Sequence, residues 1–482
     1  MNYETVIGME VHVELQTAAK MFCRCYAHHF QIPPNSHICP VCTSQPGSLP
    51  VINGRAIELT VMTGMALNCQ ICHHSVFDRK NYVYPDLPKG YQISQYESPL
   101  CEEGWLEMSL DGDGTSPSLR RIGIVRVHLE EDTGKLVHSG NSSLVDYNRA
   151  GVPLMEIVSD SSLRSSAEAC EYVQKIRQLV RYLDASTGDM EKGAMRCEAN
   201  ISVRPTGSTE LGTKVEVKNL NSFRSVRNAI DYEVKRQIET LEEGGSIRQV
   251  TMGWDDNDGF TREQRSKEYD DDYRYFPEPD LRAVDLSDDW IETGRARLPE
   301  LADARAARFQ AEFGLTTEEA ALLTEDQALA AYFEDAASAP GSDPKQVSNW
   351  IVGQLFRRLK EEEIGIEAVQ IRPGELVELI GLVADGTINQ TAAREVFDRL
   401  WEKDSPSPTQ IVEQLGLRQI SDSGELEQAV AAVIAENPEA VAKIKTGNDK
   451  PVQFLMGQVM RATRGKANPQ LVQELVRRQI TG

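Results

Sequence analysis

Carboxylates recur at alternate positions along several strand-like stretches of this chain, and alternation is what places side chains on one face of a strand. In residues 6–15 the pattern puts Glu10, His12 and Glu14 on one face, with Ile7, Met9, Val11, Val13 and Leu15 on the other. Residues 196–204 set Glu198 and Asn200 opposite Ile201 and Val203, and residues 214–218 set Glu216 opposite Val215 and Val217. Burying the apolar faces in one core gathers the acidic faces into one surface. Carboxylates massed on neighbouring strands repel and raise one another's pKa unless a cation sits between them, so that surface calls for a hard metal ion. A single strand with polar residues outward describes any half-solvated antiparallel sheet. Three such strands with Glu at inner positions, one of them carrying a His, point instead to an active site.

Thiols make a second constellation. Cys23-x-Cys25 and Cys39-x2-Cys42 are close pairs separated by thirteen residues, with Pro33, Pro34, Asn35 and Pro40 available to turn the chain. Two such knuckles bring four thiolates around Zn²⁺. All four ligands are then protein, so the zinc is expected to be structural; the bland alternative is unrelated loop thiols. Cys69-x2-Cys72, followed by His73 and His74, is a competing pair after a helical-looking run from Ile57 to Leu67, and it is expected to pack near that helix end. Nine cysteines in a chain that opens directly on a strand pattern, with no basic flank and apolar core of a secretory signal, read as reduced thiols or metal ligands in a cytoplasmic protein.

A formal charge of -23 argues against broad, non-specific nucleic-acid binding, and no apolar run approaches the ~20 residues that span a bilayer. That average conceals a reversal at the end. From Lys443 onward eight basic residues, Lys450, Arg461, Arg464 and Lys466 among them, stand against only Asp449 and Glu474. Such a tail either holds a phosphate backbone or presents a solvated basic helix face.

The elements that position these residues change character along the chain. At 482 residues it is too long for one core. Up to about residue 290 it reads as strands and turns with one long helix, which starts at a capping box from Ser165 to Glu168 and runs through Ala169, Val173, Ile176, Val180 and Leu183. Residues 298–400 are rich in Ala, Leu, Glu and Arg, broken at Gly314, Pro340-Gly341, Pro373-Gly374 and Gly386, as in a bundle of short amphipathic helices. Asp404 to Pro408 reads as a linker, followed by further helices. The expected fold is α+β: an antiparallel-sheet, cradle-like catalytic domain over residues 1–294, then two all-α modules, 295–404 and 405–482.

The segment from Phe77 to Tyr96, FDRKNYVYPDLPKGYQISQY, is rich in polar aromatics, charges and turn residues, as a substrate-facing loop would be. It closely resembles the hallmark of the B subunits of the aspartyl/glutamyl-tRNA amidotransferases. So do IGMEVHVEL from Ile7, HLEED from His128, DYNR from Asp146, EVKNLNS from Glu216 and DYRYFPEPD from Asp272, and the tail around Gly457–Met460 and Gly465–Pro469 is similar to the same family's C-terminal module. The matches run in order almost from end to end. The resemblance implies a heterotrimer, made with an amidase (glutaminase) partner and a small third partner, that amidates Glu-tRNA(Gln) or Asp-tRNA(Asn). This chain would activate the side-chain carboxylate with ATP, and ammonia from glutamine hydrolysed on the amidase would displace phosphate. Phosphorylation supplies the leaving group that a carboxylate lacks, provided Mg²⁺ neutralises the phosphate charge. No G-x-x-x-x-G-K-[ST] occurs, so carboxylate-bound metal and scattered cations must hold the nucleotide.

Carried over by position, the family's catalytic and Mg²⁺-binding residues fall on Glu10, His12, Glu131, Glu156, Glu198 and Glu216, with Glu198 standing where the family often has Asp. Glu131 shares parity with Val125, Val127 and Leu129, so it needs a strand end or bulge to join the site. His12 is read first as a ligand, with general base or satisfied polar residue as alternatives. Arg79 and Lys80 are phosphate or carboxylate contacts; Tyr82, Tyr84, Tyr91 and Tyr96 are either substrate contacts or loop packing. Two rivals remain: a zinc-stabilised tRNA-binding scaffold without chemistry, which leaves the inward carboxylates unexplained, and a metal-dependent hydrolase using the same cluster.

Overall fold

The structure, a computed structural model, describes residues 2–110, 118–266, 273–403, 405–419, 423–445, 450–463 and 467–481. The chain divides into two compact units, the first ending at Ala302 and the second beginning at Asp303. Twelve strands of the first unit matter for the site. They are β1 (Tyr3–Glu14), β2 (Gln70–Ile71), β3 (Asp78–Asn81), β4 (Tyr91–Ser94), β5 (Cys101–Leu110) and β6 (Ser118–Glu131), then β7 (Pro153–Ser159), β8 (Met195–Pro205), β9 (Val215–Leu220), β10 (Val250–Asp255), β11 (Phe260–Ser266) and β12 (Phe276–Pro277).

Nine of them form one sheet in the order β11-β10-β9-β8-β1-β7-β6-β5-β2, antiparallel throughout except for the parallel β9–β10 pair. The register follows from the hydrophobic pattern. Met9, Val11 and Val13 of β1, Val127 and Leu129 of β6, Met155 and Ile157 of β7, Ala199 and Ile201 of β8 and Val217 of β9 are all fully buried in one core. Helices α1 (Gly54–Ala66), α2 (Ser166–Tyr182), α3 (Phe223–Glu242) and α4 (Asp288–Arg295) supply Leu59, Ile176, Val226 and Ile291 to that core. Burying each such side chain contributes about 1.5–3 kcal/mol, and a one-residue slip would turn the whole set to the other face. The polar residues between them are therefore fixed on the opposite side.

Two local departures from the sequence reading have physical causes. At the start of α2, Ser165 Oγ accepts from Glu168 N, but the Glu168 carboxylate accepts from Arg164 N at 2.7 Å and Arg120 at 3.0 Å, so the reciprocal half of the box is not formed. And α2 is not the one long helix: α3 is longer. Its buried face carries Glu233 and Gln237 among Val226, Ala229 and Ile230, which blurs the apolar period. Glu233 is satisfied by Arg236, and Gln237 Nε2 donates to the Ile201 carbonyl.

β3, β4 and β12 make a small second sheet, with Phe276 paired to Arg79 and Lys80 to Gln92. The second unit is helical. One apolar cluster runs from Phe309 to Val412 and another from Leu426 to Ile480. The helix Pro408–Leu415, just beyond the proline-rich stretch, gives Ile411 and Val412 to the earlier cluster. Among the described residues no helix is long and apolar enough to cross a membrane.

Candidate functional site

The face of the sheet turned away from the core carries a continuous polar row. Cross-strand register sets His12 beside Glu156 and Glu156 beside His128, Glu10 beside Glu198, and Asn200 beside Glu216. Directly paired residues share a face. Five strands, from β6 to β9, thus bring together side chains as far apart in sequence as Glu10 and Glu216.

Two sets of donor atoms emerge. In the first, His12, Glu130 and Glu156 place ligand atoms within 4.8 Å of one another; in the second, Glu10, Glu198 and Glu216 do the same. His12 Nε2 lies 3.5 Å from Glu156 Oε2 and 3.8 Å from Glu130 Oε1, and His128 Nε2 reaches the same Glu156 oxygen at 3.3 Å. Lys218 Nζ sits between the carboxylates of the second set, 2.6 Å from Glu198 and 3.1 Å from Glu216. Thr251 Oγ1 donates to Glu216 at 2.7 Å and Asn200 Nδ2 to Glu10 at 2.8 Å.

The electrostatics are those of a cation seat. Burial raises the Glu10 pKa, and the Glu156 and Glu198 charges raise it further. Burial alone would lower the His12 pKa, yet Glu156, Glu198 and Glu130 push it up to about 9. Glu156 resists the effect of its own burial because His128 and His12 hold it well below the usual carboxylate range. Proton and lysine charge thus occupy the space among the carboxylates. Oxygen donors with one imidazole are the donor set of a hard or borderline divalent ion such as Mg²⁺ or Mn²⁺, and Glu10, Glu198 and Glu216 on one side with His12, Glu130 and Glu156 on the other would hold it.

Five of the six expected residues, Glu10, His12, Glu156, Glu198 and Glu216, stand in this row; Glu131 does not. The register through Glu131 is unbroken, Pro153 to Glu131 and Leu154 to Glu130, so no bulge carries it across. It faces the other way, paired with Lys89 and accepting from Ile93 N at 3.0 Å, and its neighbour Glu130 joins His12. Glu130, His128 and Lys218 are absent from the residues expected on sequence grounds. The parity rule that places Glu10 and Glu216 is the signal that finds all three.

Arg79 and Lys80 point to opposite sides of β3. Arg79 is clamped by Glu278 through two bonds of 2.6 and 2.7 Å and covers the Tyr91 ring at 4.3 Å, so its guanidinium ties β12 to β3. Lys80 is half-buried against tyrosines, 5.0 Å from the Tyr273 ring and 5.9 Å from Tyr82. Burial works against its charge, but Glu130 and Glu156 hold its pKa above the ordinary lysine value. Of the loop tyrosines, Tyr82 hydrogen-bonds Gln92, Tyr91 lies under Arg79, Tyr96 stacks on Tyr275 and Tyr84 is exposed.

The four sulfurs of Cys23, Cys25, Cys39 and Cys42 lie within 4.8 Å of one another. The second knuckle is a tight turn: Thr43 N donates to the Cys39 carbonyl, and Cys39 N donates to Cys42 Sγ at 3.2 Å. The Cys23 thiol and the buried Lys20 hold Cys42 down to about 5 against the effect of burial, the thiolate character a soft metal needs. Cys69 lies where the helix-end reading put it, its N–H donating to Gly64 O at the end of α1.

Known proteins resemble this chain in sequence along nearly its whole length. Residues 5–292 match the family model described as the GatB/GatE catalytic domain, and residues 331–480 match the one described as the GatB domain. The chain is 50% identical to the aspartyl/glutamyl-tRNA(Asn/Gln) amidotransferase B subunit of Thermodesulfovibrio yellowstonii, covering 99% of each chain. It is 51% identical to that of Thermomicrobium roseum, over 99% of this chain and 98% of the relative, and 48% identical to that of Geobacter sulfurreducens over the full length of both. The chain belongs to the amidotransferase B-subunit family. The family's catalytic-domain match spans the whole polar row and the cysteine quartet, and its second match spans the later helical cluster and the larger part of the earlier one. In the tail of this family member, Lys450 opens the helix Lys450–Ala462 and Arg461 lies in its last turn, while Arg478 is paired with Glu427. Arg464 and Lys466 lie outside the described residues.

Proposed function

We propose that the chain is the carboxylate-activating subunit of a glutamine-dependent tRNA amidotransferase. It converts Glu-tRNA(Gln) or Asp-tRNA(Asn) to the amide, a carbon–nitrogen ligation driven by ATP. The observation that carries this reading is the pair of adjoining donor sets on one sheet face of a member of the B-subunit family. The side-chain carboxylate takes the γ-phosphoryl group of ATP, ADP departs, and ammonia then displaces phosphate from the acyl carbon. Glu10, His12, Glu130, Glu156, Glu198 and Glu216 would hold Mg²⁺, which when bound would neutralise charge on the phosphoryl oxygens. The row seats that charge without rearranging the backbone, because each side chain is fixed by strand register. Lys80, held cationic beside Glu130 and Glu156, is the phosphate contact; Arg79 serves the fold.

The remainder of the reading concerns partners and place. Ammonia comes from an amidase (glutaminase) partner, and a small third partner completes the heterotrimer. The cysteine quartet holds structural Zn²⁺. The basic tail, with Lys450, Arg461, Arg464 and Lys466, holds tRNA; domain borders near 294 and 404 separate it and the middle helices from the catalytic unit, and the complex works in the cytoplasm. A scaffold without chemistry has no use for inward carboxylates. The test is incubation of the chain and its co-purifying partners with Mg·ATP, an ammonium salt and each misacylated tRNA. ADP and amidated tRNA are expected; a cleaved ester bond without ADP, or no product, contradicts the reading.

A further inference from the structure

Among the described residues, Arg126 is a cation on the active face that no hydrogen bond or ion pair accounts for. Arg126 lies on β6 two residues before His128, with the same parity, so its side chain leaves the sheet about 7 Å from that of His128. Among the described residues its guanidinium has no hydrogen-bond or ion-pair partner, and its Nε is buried without an acceptor. A buried donor without a partner costs stability, and such groups persist where a ligand completes them.

The neighbouring carboxylates are all turned elsewhere. Glu102, directly across on β5, turns toward the Cys72 thiol. Glu156 is shared by His12 and His128, and Glu130 by His12 and Ser94. Among the described residues the ring contact of Arg126 is with Tyr96, at 5.6 Å. That ring is held in place from two sides: Tyr96 N donates to Asp78 at 3.0 Å, and the ring stacks on Tyr275 at 4.2 Å with 8° between planes. Tyr273, 6.0 Å from Tyr275, lies in turn beneath Lys80. An aromatic wall therefore runs between the two cations of the site. Lys80 faces the Glu130 and Glu156 end, and Arg126 stands at the other end of the wall, one side-chain length from the first donor set.

The geometry points to Arg126 as the guanidinium that binds the phosphate chain of ATP while Mg²⁺ is held by the carboxylates. This inference rests on the function proposed above and names a residue of its machinery. A planar fork of donors fits phosphate oxygens two at a time, and a fork preset on a tyrosine stack loses little freedom on binding. RNA backbone phosphate is the less favoured occupant because the nearest protein groups are the phosphoryl-transfer ligands themselves.

The test uses the full chain in its co-purified complex, with Arg126→Ala and Arg126→Lys. Equilibrium binding of Mg·ATP, of Mg·tripolyphosphate and of adenosine is measured, alongside KM and kcat for ATP and for misacylated tRNA. For Arg126→Ala the affinity for Mg·ATP and Mg·tripolyphosphate should fall about tenfold or more, the loss of charge-assisted hydrogen bonds, while adenosine binding is unchanged. Added guanidinium ion should restore part of the loss, and Arg126→Lys, which keeps the charge and guards against misfolding, should fall between. Unchanged Mg·ATP affinity and KM in both variants overturn the assignment while leaving the proposed function standing. So does a loss confined to tRNA affinity, which would make Arg126 an RNA contact. Wild-type complex that neither binds Mg·ATP nor releases ADP overturns both.

Discussion

Two groups of ligands in this molecule are built in opposite ways. The thiol quartet comes from twenty residues of chain folded by turns, and all four donors face one point. The carboxylate row is assembled from strands whose residues range from Glu10 to Glu216, and its charges are balanced in part by a lysine and a protonated histidine. A site closed by its own short loop serves folding, because it forms only when metal and loop come together. A site spread over a rigid sheet can exchange its cation for another, because strand register, not the metal, holds the ligands in place. The structural and catalytic roles proposed for the two groups rest on that difference.

The largest effect should come at Glu156, the shared partner of His12 and His128. Glu156→Gln keeps the volume but removes the charge, and the rate of amidation should fall about a thousandfold or more while zinc content is retained. Steady-state assay with elemental analysis on the same sample decides it. Next in size is Cys39→Ser with Cys42→Ser. These should release about one Zn²⁺ per chain and lower thermal stability, with cysteine-site loss preceding unfolding in a calorimetric scan. Retained stability in zinc-free protein would show that the quartet is no fold element.

Lys218 bears on the same contrast because it stands where a metal would act. Lys218→Met should lower the thermal midpoint in chelator by several degrees, since Glu198 and Glu216 then repel without a cation, and the deficit should shrink as Mg²⁺ is added. A deficit that Mg²⁺ does not touch would place the metal elsewhere.

Titration gives smaller effects with defined signs. Asp132 is fully buried, and although burial opposes it, Arg196 at 2.6 Å and Arg149 hold its pKa at about 2, below its ordinary value near 3.8. A lowered pKa contributes stability that is present above about pH 4 and lost as pH falls toward 2, on the order of 2 kcal/mol. Asp132→Asn should remove that part of the acid transition. His12 runs the other way. Its raised pKa contributes stability that is complete below about 6.5 and lost as pH rises through about 9, so in chelator the native state should weaken over that window. The smallest effect on chemistry belongs to Arg79→Lys, which loses the two-pronged bond to Glu278. Stability should drop by about 1–3 kcal/mol with activity within a few-fold. A large loss of activity at full stability would return Arg79 to the phosphate.

How much of this was legible in the sequence depends on whether a signal was local. Strand parity is local, so β1, β8 and β9 could be read directly, and Glu10, His12, Glu198 and Glu216 with them. The cysteine spacing was local too, and so was the helix start at Ser165. Glu131 shows the limit: a motif carries two adjacent glutamates, parity with Val127 and Leu129 favours Glu130, and the unbroken pairing with β7 rules out the bulge that would bring Glu131 across. The β3 cations show another. Arg79 and Lys80 look alike in sequence, and the difference arises from Glu278, about two hundred residues away. α3 was hidden because its buried face is half polar, a pattern that makes sense only beside the Ile201 carbonyl it satisfies.

An exchangeable hard-cation site on the sheet, independent of the thiol site, can be sought by Mn²⁺ titration of the full-length chain, followed by electron paramagnetic resonance with zinc content assayed in parallel. Mn²⁺ should bind, Mg²⁺ should displace it, and zinc should stay untouched throughout. Glu156→Gln and Glu216→Gln should each weaken the binding at least tenfold, roughly the loss of one charged ligand. Mn²⁺ binding unaltered in both variants, or lost only together with zinc, would contradict a separate cation site on the sheet.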